Sequence, residues 1–165
     1  IFLVELGIMH KILFVCLGNI CRSPTAQGVF QSRVDQAGLK EHFFVDSAGT
    51  AGWHEGKAPD PRTQKHALSR SYDLSRIQGR QVVFSDFEAF DHIIAMDKAN
   101  LENLQAMCPE ESQHKLKLFL DFSDCPESEV PDPYFGGTAG FSHVLDLAES
   151  ASEGLLNALT EEALA

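Results

Sequence analysis

Cys16 and Arg22 bracket the stretch Cys16-Leu17-Gly18-Asn19-Ile20-Cys21-Arg22, which is followed by Ser23 and Pro24. A cysteine is a strong nucleophile once it has lost its proton. An arginine offers a planar fork of donors that matches two oxygens of one phosphate group. Gly18 permits backbone angles that turn successive N–H groups inward, and Asn19 tolerates the left-handed region better than most residues. This Cys-x5-Arg loop therefore offers a nucleophile, a nest of donors and a fixed cation, all centred on one small anion. Ser23 adds a hydroxyl that can donate to a thiolate and stabilise it as nucleophile and leaving group. The chemistry open to such a set is attack on a phosphate monoester. The plainer reading is a buried structural cysteine with a surface arginine.

The flanking elements favour the first reading. Lys11 to Cys16 is a short apolar run of β-forming residues, the pattern of a fully buried parallel strand. Pro24 suits the first turn of a helix, Ala26, Val29, Phe30, Val34 and Ala37 continue it at helical spacing, and Gly38 supplies the stop. Cys16 thus falls at the carboxyl end of a strand and at the mouth of a helix, where free N–H groups and the macrodipole favour anions, thiolates included. Further strands are expected at 43–48, 90–96 and 115–120, and further helices at 62–71, from Asp97 as N-cap through Met107, and at 138–159. Residues 49–61 and 121–133 read as loops. The alternation predicts an α/β fold, a three-layer sandwich with a four-stranded parallel sheet and helices on both faces.

Composition sets bounds on the function. The chain has 165 residues and a net charge of −11, with 44% hydrophobic and 22% charged residues. Such a balance disfavours nonspecific binding to nucleic acid or to an anionic membrane. No apolar run reaches the length of a membrane span. The four cysteines, at 16, 21, 108 and 125, form no Cys-x-x-Cys pair and stand near no zinc-type histidine spacing, so neither a metal nor another cofactor is expected. The expected compartment is the cytoplasm. Met9 stands just before the first strand pattern, so residues 1–8 are expected to be an extension and 9–165 a single domain. The alternative is a segment packed on the core.

The loop from Cys16 to Pro24 resembles the signature of the low-molecular-weight protein tyrosine phosphatases, in their bacterial form. Ser47-Ala48-Gly49-Thr50, Gly52-Trp53-His54, Ala95-Met96-Asp97 and Asp132-Pro133-Tyr134 follow in the family's order and approximate spacing. The resemblance implies hydrolysis of phosphotyrosine through a phosphocysteine, without a metal. It implies that Cys16 is the nucleophile, Arg22 the phosphate clamp and Asp132 the general acid. Leu17, Gly18, Asn19, Ile20, Cys21, Arg22 and Ser23 would form the phosphate-binding loop, while Trp53 and Tyr134 would flank the substrate ring. The implied partners are tyrosine-phosphorylated proteins, among them a bacterial tyrosine kinase, with phosphate or a similar oxyanion in the loop. An aspartate held between Pro131 and Pro133 suits proton donation to a leaving phenolate, although it also reads as one acid among several in an acidic loop. Asp97 reads as an N-cap or as a support to the site.

Cys21 could trap an oxidised Cys16 as a disulfide, or it could be a small buried side chain. The chain also departs from the family. Arg76 stands where histidine is frequent, and Phe135 follows Tyr134 where relatives from higher organisms carry a second tyrosine. Three rivals share features of the loop. A thiol-cascade arsenate reductase would need Cys108 and Cys125 as relays. A protein-arginine phosphatase would carry threonine in place of Ile20. A non-catalytic phosphate-binding module would have lost the nucleophile, the arginine or the acid, and all three are present.

Overall fold

The computed structural model of the chain describes residues 9–134 and 136–164. The expected extension over 1–8 and the departure at Phe135 lie outside the described residues. Four strands, β1 (His10–Cys16), β2 (Phe43–Gly49), β3 (His92–Ala95) and β4 (Leu116–Leu118), form one parallel sheet in the order β2-β1-β3-β4. The connecting helices are α1 (Arg22–Gln36), α2 (Pro61–Ser69), α3 (Asp86–Ala89), α4 (Lys98–Met107) and α5 (Thr138–Leu164).

Strand alternation divides the core between the two faces of the sheet. Ile12, Phe14, Val45 and Ile94 pack with α1, α2 and α5, while Leu13, Val15, Ile93 and Ala95 pack with α3 and α4. Every residue of β1 from Ile12 to Val15 is fully buried, which is why that strand reads as a continuous apolar run rather than an alternation. Phe14 meets Phe30 of α1 and Phe119 edge-on, with ring centroids 5.7 and 5.1 Å apart. The three-layer arrangement expected from the sequence is present.

The strand order reverses at β1. Its neighbours are β2 on one side and β3 on the other, with Cys16 opposite Gly49 and Val15 opposite Ala95. In open parallel sheets such a switch leaves a crevice at the carboxyl end of the strands, and Cys16 is the last residue of β1.

Local features differ from expectation, among them the strand expected over 90–96, which spans only His92–Ala95. The strand expected over 115–120 shrinks to Leu116–Leu118, because Phe119–Phe122 form a 3-10 turn that drives Phe119 and Leu120 into the core. The short helix α3 falls where none was expected: Asp86 accepts from the Val83 N–H and binds Arg80, a contact that periodicity does not report.

The 3-10 turn also explains a glycine inside α5. A Cβ at Gly154 would collide with the carbonyl oxygen of Phe122. Alanine gains about 1 kcal/mol over glycine in a helix interior, but overpacking against a fixed backbone costs ~1–3 kcal/mol. Gly154→Ala is therefore expected to lower stability in urea unfolding, against the sign of helix propensity. An unchanged or raised midpoint would show that the turn yields freely.

Candidate active site

The loop after β1 is held from three sides. Asn19 adopts a left-handed backbone, φ 58°, whereas Gly18 does not. The left-handed residue of the loop is thus the asparagine. What Gly18 supplies is space: a Cβ there would come within 3.1 Å of the His54 ring. The Asn19 side chain donates to Ser23 Oγ at 2.8 Å and to Ser47 Oγ at 3.0 Å, and its Oδ1 accepts from the Arg80 N–H at 3.0 Å. One amide thereby ties the loop to α1, to β2 and to the segment before α3. Arg80 is itself gripped by Asp46 and Asp86.

Cys16 is 2% exposed, and its sulfur faces the loop. The Asn19 N–H donates to Sγ at 3.3 Å, and Ser23 Oγ lies 3.1 Å from it. Ser23 Oγ accepts from Asn19, and its one hydrogen has two acceptors in reach, the sulfur and the Ala48 carbonyl at 3.5 Å. Helix α1 opens at Arg22 with no side-chain cap and no acid in its first turn. Its free N–H groups are therefore left for a ligand rather than consumed by the protein.

Arg22 is 3% exposed, so its charge must be met inside the protein. Nη1 donates to Asp97 Oδ2 at 2.5 Å and to the Val130 carbonyl at 3.1 Å, and Nη2 lies 3.7 Å from Asp132 Oδ2. Burial works against the charge, but Cys16, Asp97 and Asp132 outweigh it and hold the Arg22 pKa above its ordinary value. Asp97 serves in both of the ways the sequence left open. Its Oδ1 accepts from the Asn100 N–H at 2.7 Å as the N-cap of α4, while Oδ2 holds Arg22.

Cys16, Leu17, Gly18, Ile20, Cys21 and Arg22 form the base of a cavity of about 270 Å³ whose rim includes Trp53, His54, Asp132 and Tyr134. The structure therefore gathers at one cavity the expected nucleophile, clamp, acid and aromatic residues with most of the loop, while Asn19 and Ser23 support the loop from behind. Trp53 and Tyr134 are 69% and 38% exposed, so aromatic surface stands open at the rim. Asp132 Oδ1 accepts from the Tyr134 N–H at 3.0 Å, and the Val130 N–H donates to the Met96 carbonyl at 2.8 Å. The turn carrying Asp132 is thus anchored to the end of β3.

Cys21 faces the same cavity but differs from Cys16 in environment. Burial pushes its thiol up to about 12, opposed by the nearby Thr63 hydroxyl and reinforced by the charges of Asp60, Cys16 and Asp132. Cys108 packs on the α3/α4 face of the sheet and Cys125 against the opposite face, and neither lines the cavity. Among the described residues, no group of three or more histidines, cysteines or carboxylates converges as a metal site.

Comparison with known proteins gives the family of the chain. The family model "Low molecular weight phosphotyrosine protein phosphatase" matches residues 11–164. The chain belongs to that family. It is 47% identical over 156 residues to a putative low molecular weight protein-tyrosine-phosphatase of Synechocystis, covering 92% of this chain and 98% of that protein. It is 41% identical to a low molecular weight protein-tyrosine-phosphatase of Streptomyces coelicolor, covering 93% and 95% of the two chains. The crystal structure of a protein tyrosine phosphatase from Entamoeba histolytica superposes with a TM-score of 0.90 at 45% identity, covering 93% of this chain and 98% of that one.

Sequence reasoning on this phosphatase missed three participants. Arg80 and Ser47 brace Asn19, and His54 lines the cavity. Ser47 and His54 fall inside recognisable motifs, but Arg80 lies far along the chain from the loop and carries no local signal. The bracing of Asn19 is testable. Asn19→Ala places alanine in the left-handed region, costing ~1–2 kcal/mol, and orphans buried partners worth ~1–3 kcal/mol. A loss of roughly 2–4 kcal/mol in urea unfolding is expected. Asn19→Gly, which relieves only the backbone, should recover about 1 kcal/mol of it.

Proposed function

We propose that this phosphatase hydrolyses phosphotyrosine through a phosphocysteine formed on Cys16, without a metal ion. The observation that carries the reading is the convergence on one cavity of the Cys16 sulfur, the buried Arg22 guanidinium and the Asp132 carboxyl. The Cys16 thiolate attacks phosphorus as the bond to the phenolic oxygen breaks, and Asp132 delivers its proton to that oxygen as it leaves. A water then attacks the phosphocysteine and gives a proton to the Asp132 carboxylate. The sulfur–phosphorus bond breaks, and the returning thiolate is received by Ser23 Oγ and the Asn19 N–H. Arg22 and the loop N–H groups from Leu17 to Arg22, apart from that of Asn19, supply the positive field on the equatorial oxygens, the task a metal performs in other phosphoryl transfers.

Trp53 and Tyr134 at the rim suit the two faces of a tyrosyl ring, and apolar Ile20 beside them suits an aromatic group rather than a guanidino group. A thiol cascade through Cys108 and Cys125 is disfavoured by their separation on opposite faces of the sheet. The reading extends to phosphate or a similar oxyanion as the ligand of the loop, to a bacterial tyrosine kinase as protein partner, and to a cytoplasmic site of action, where reducing conditions preserve an accessible thiolate.

Turnover of para-nitrophenyl phosphate tests the reading. Cys16→Ser should abolish it, and Asp132→Ala should lower kcat by about 10²–10⁴-fold. A chelator should leave the wild-type rate unchanged. Equal activity of the wild type and Cys16→Ser would overturn the assignment.

The same cavity supports a redox arm. Peroxide oxidises the Cys16 thiolate to a sulfenic acid, and Cys21 attacks that sulfur with loss of water, closing a disulfide. The raised pKa of Cys21 makes its attacking thiolate scarce at neutral pH. Disulfide closure should therefore be slow at pH 7 and still accelerating above pH 9, where an ordinary thiol would be levelling off. Peptide mapping of samples quenched after mild peroxide treatment reads the rate, and absence of a Cys16–Cys21 bond at every pH would rule the arm out.

A further inference from the structure

Arg62 lies on α2, outside the loop and outside the lining of the cavity, yet its side chain joins the two halves of the site. Asp60 caps α2, accepting from the Arg62 N–H at 2.8 Å. The same carboxyl takes Arg62 Nε at 3.1 Å on Oδ1 and Nη2 at 2.9 Å on Oδ2, a two-pronged pair. The Asp60 backbone N–H donates to the Ile20 carbonyl at 2.8 Å, so the capped end of α2 is fastened to the phosphate-binding loop. From that fixed base, Arg62 Nη2 donates to the Tyr134 carbonyl at 3.0 Å. The N–H of Tyr134 in turn donates to Asp132 Oδ1. A continuous chain of contacts therefore runs from Ile20 through Asp60, Arg62 and Tyr134 to the carboxyl of Asp132.

Ring contacts fix the guanidinium as well. Its central carbon lies 5.4 Å from the Tyr134 ring centroid and 4.9 Å from that of Phe141 on α5. Phe141 is stacked on His66 of α2, with centroids 5.5 Å apart and planes 2° from parallel. Contacts of this kind fix the orientation of the guanidinium. The guanidinium also holds the Asp60 carboxyl below its ordinary pKa, so the pair persists through the neutral range.

We propose that Arg62 is a positioning residue for the general acid: it fixes the Asp132–Tyr134 turn at a set distance from the phosphate-binding loop. The proposal rests on the role given to Asp132 above. Three guanidinium donors of Arg62 are committed to Asp60 and Tyr134, and its side chain lies outside the cavity lining, so it acts on the turn and not on the phosphate. Proton delivery needs the acid within hydrogen-bond reach of the leaving oxygen, and a displacement of about 1 Å can cost as much as 10²-fold. A turn released from Arg62 keeps its anchor at Val130 but loses its hold on the far side of Asp132.

The test reads leaving-group dependence, which a merely structural lesion would not change. The value of kcat/KM is measured for wild type, Arg62→Ala, Arg62→Lys and Asp132→Ala on aryl phosphates from 2,4-dinitrophenyl, which leaves without a proton, to phenyl, which needs one. Arg62→Ala should fall about tenfold on phenyl phosphate and less than about twofold on the dinitrophenyl ester. Arg62→Lys should behave like Arg62→Ala, because an ammonium cannot span both partners while stacked between two rings. A uniform fall for Arg62→Ala across the series, or a wild-type slope for Arg62→Lys, would overturn the proposal while leaving Asp132 as acid. A flat response of Asp132→Ala would remove the acid assignment itself, and the proposal with it.

Discussion

A buried guanidinium organises this protein. Removing the Arg22 charge from water costs several kcal/mol unless partners surround it, and the partners come from separate parts of the chain. Asp97 stands at the start of α4, the Val130 carbonyl follows the hydrogen bond to the end of β3, and Asp132 sits in the turn beyond. Strand β3 and the Val130–Met96 hydrogen bond bring these segments near the loop after β1, and the cation draws their acceptors onto one point. Satisfying one charge therefore fixes the distance between the residue that attacks and the residue that donates a proton. The side of Arg22 facing the cavity stays open to an incoming anion.

The helix ends show the same division between structure and ligand. Helices α2 and α4 begin with aspartates, Asp60 and Asp97, whose side chains accept from the first-turn N–H groups. Helix α1 begins at Cys21 and Arg22 with no such acceptor. A cap there would add of order 1 kcal/mol of stability and would compete for the donors an anion requires. The four-residue α3 also opens without a side-chain acceptor, but departure from a local rule at the mouth of the cavity is where such rules are expected to yield to function.

Much of this was legible in the sequence. The buried run of β1, the proline-opened α1 and the Asp97 cap are local signals, and each led to the right element. The Cys16–Arg22 spacing made the loop readable because its chemistry is contained in seven consecutive residues. What escaped was held by contacts between distant segments. Arg80 braces Asn19 through a backbone N–H, which no side-chain pattern advertises. The end of β4 became a 3-10 turn because Phe119 packs against Phe14, a tertiary preference that overrode an apparent strand. Gly18 was read for backbone freedom, although it is Asn19 that takes the left-handed angle and Gly18 that makes room for His54.

The central position of β1 has a consequence for how the chain comes to be folded. Its hydrogen-bonding partners are β2 and β3, so the strand that carries Cys16 is complete only when residues up to Ala95 are in place. Helix α5, which packs along α1, lies further along the chain still. Pairings of such sequence separation are slow to form, because the entropy of closing long loops is lost before the contacts compensate. A growing chain thus exposes Cys16 and Cys21 as ordinary thiols well before any loop geometry exists around them. Reactivity at Cys16 is in this sense a late product of assembly, withheld until segments distant in the chain have taken their places around it.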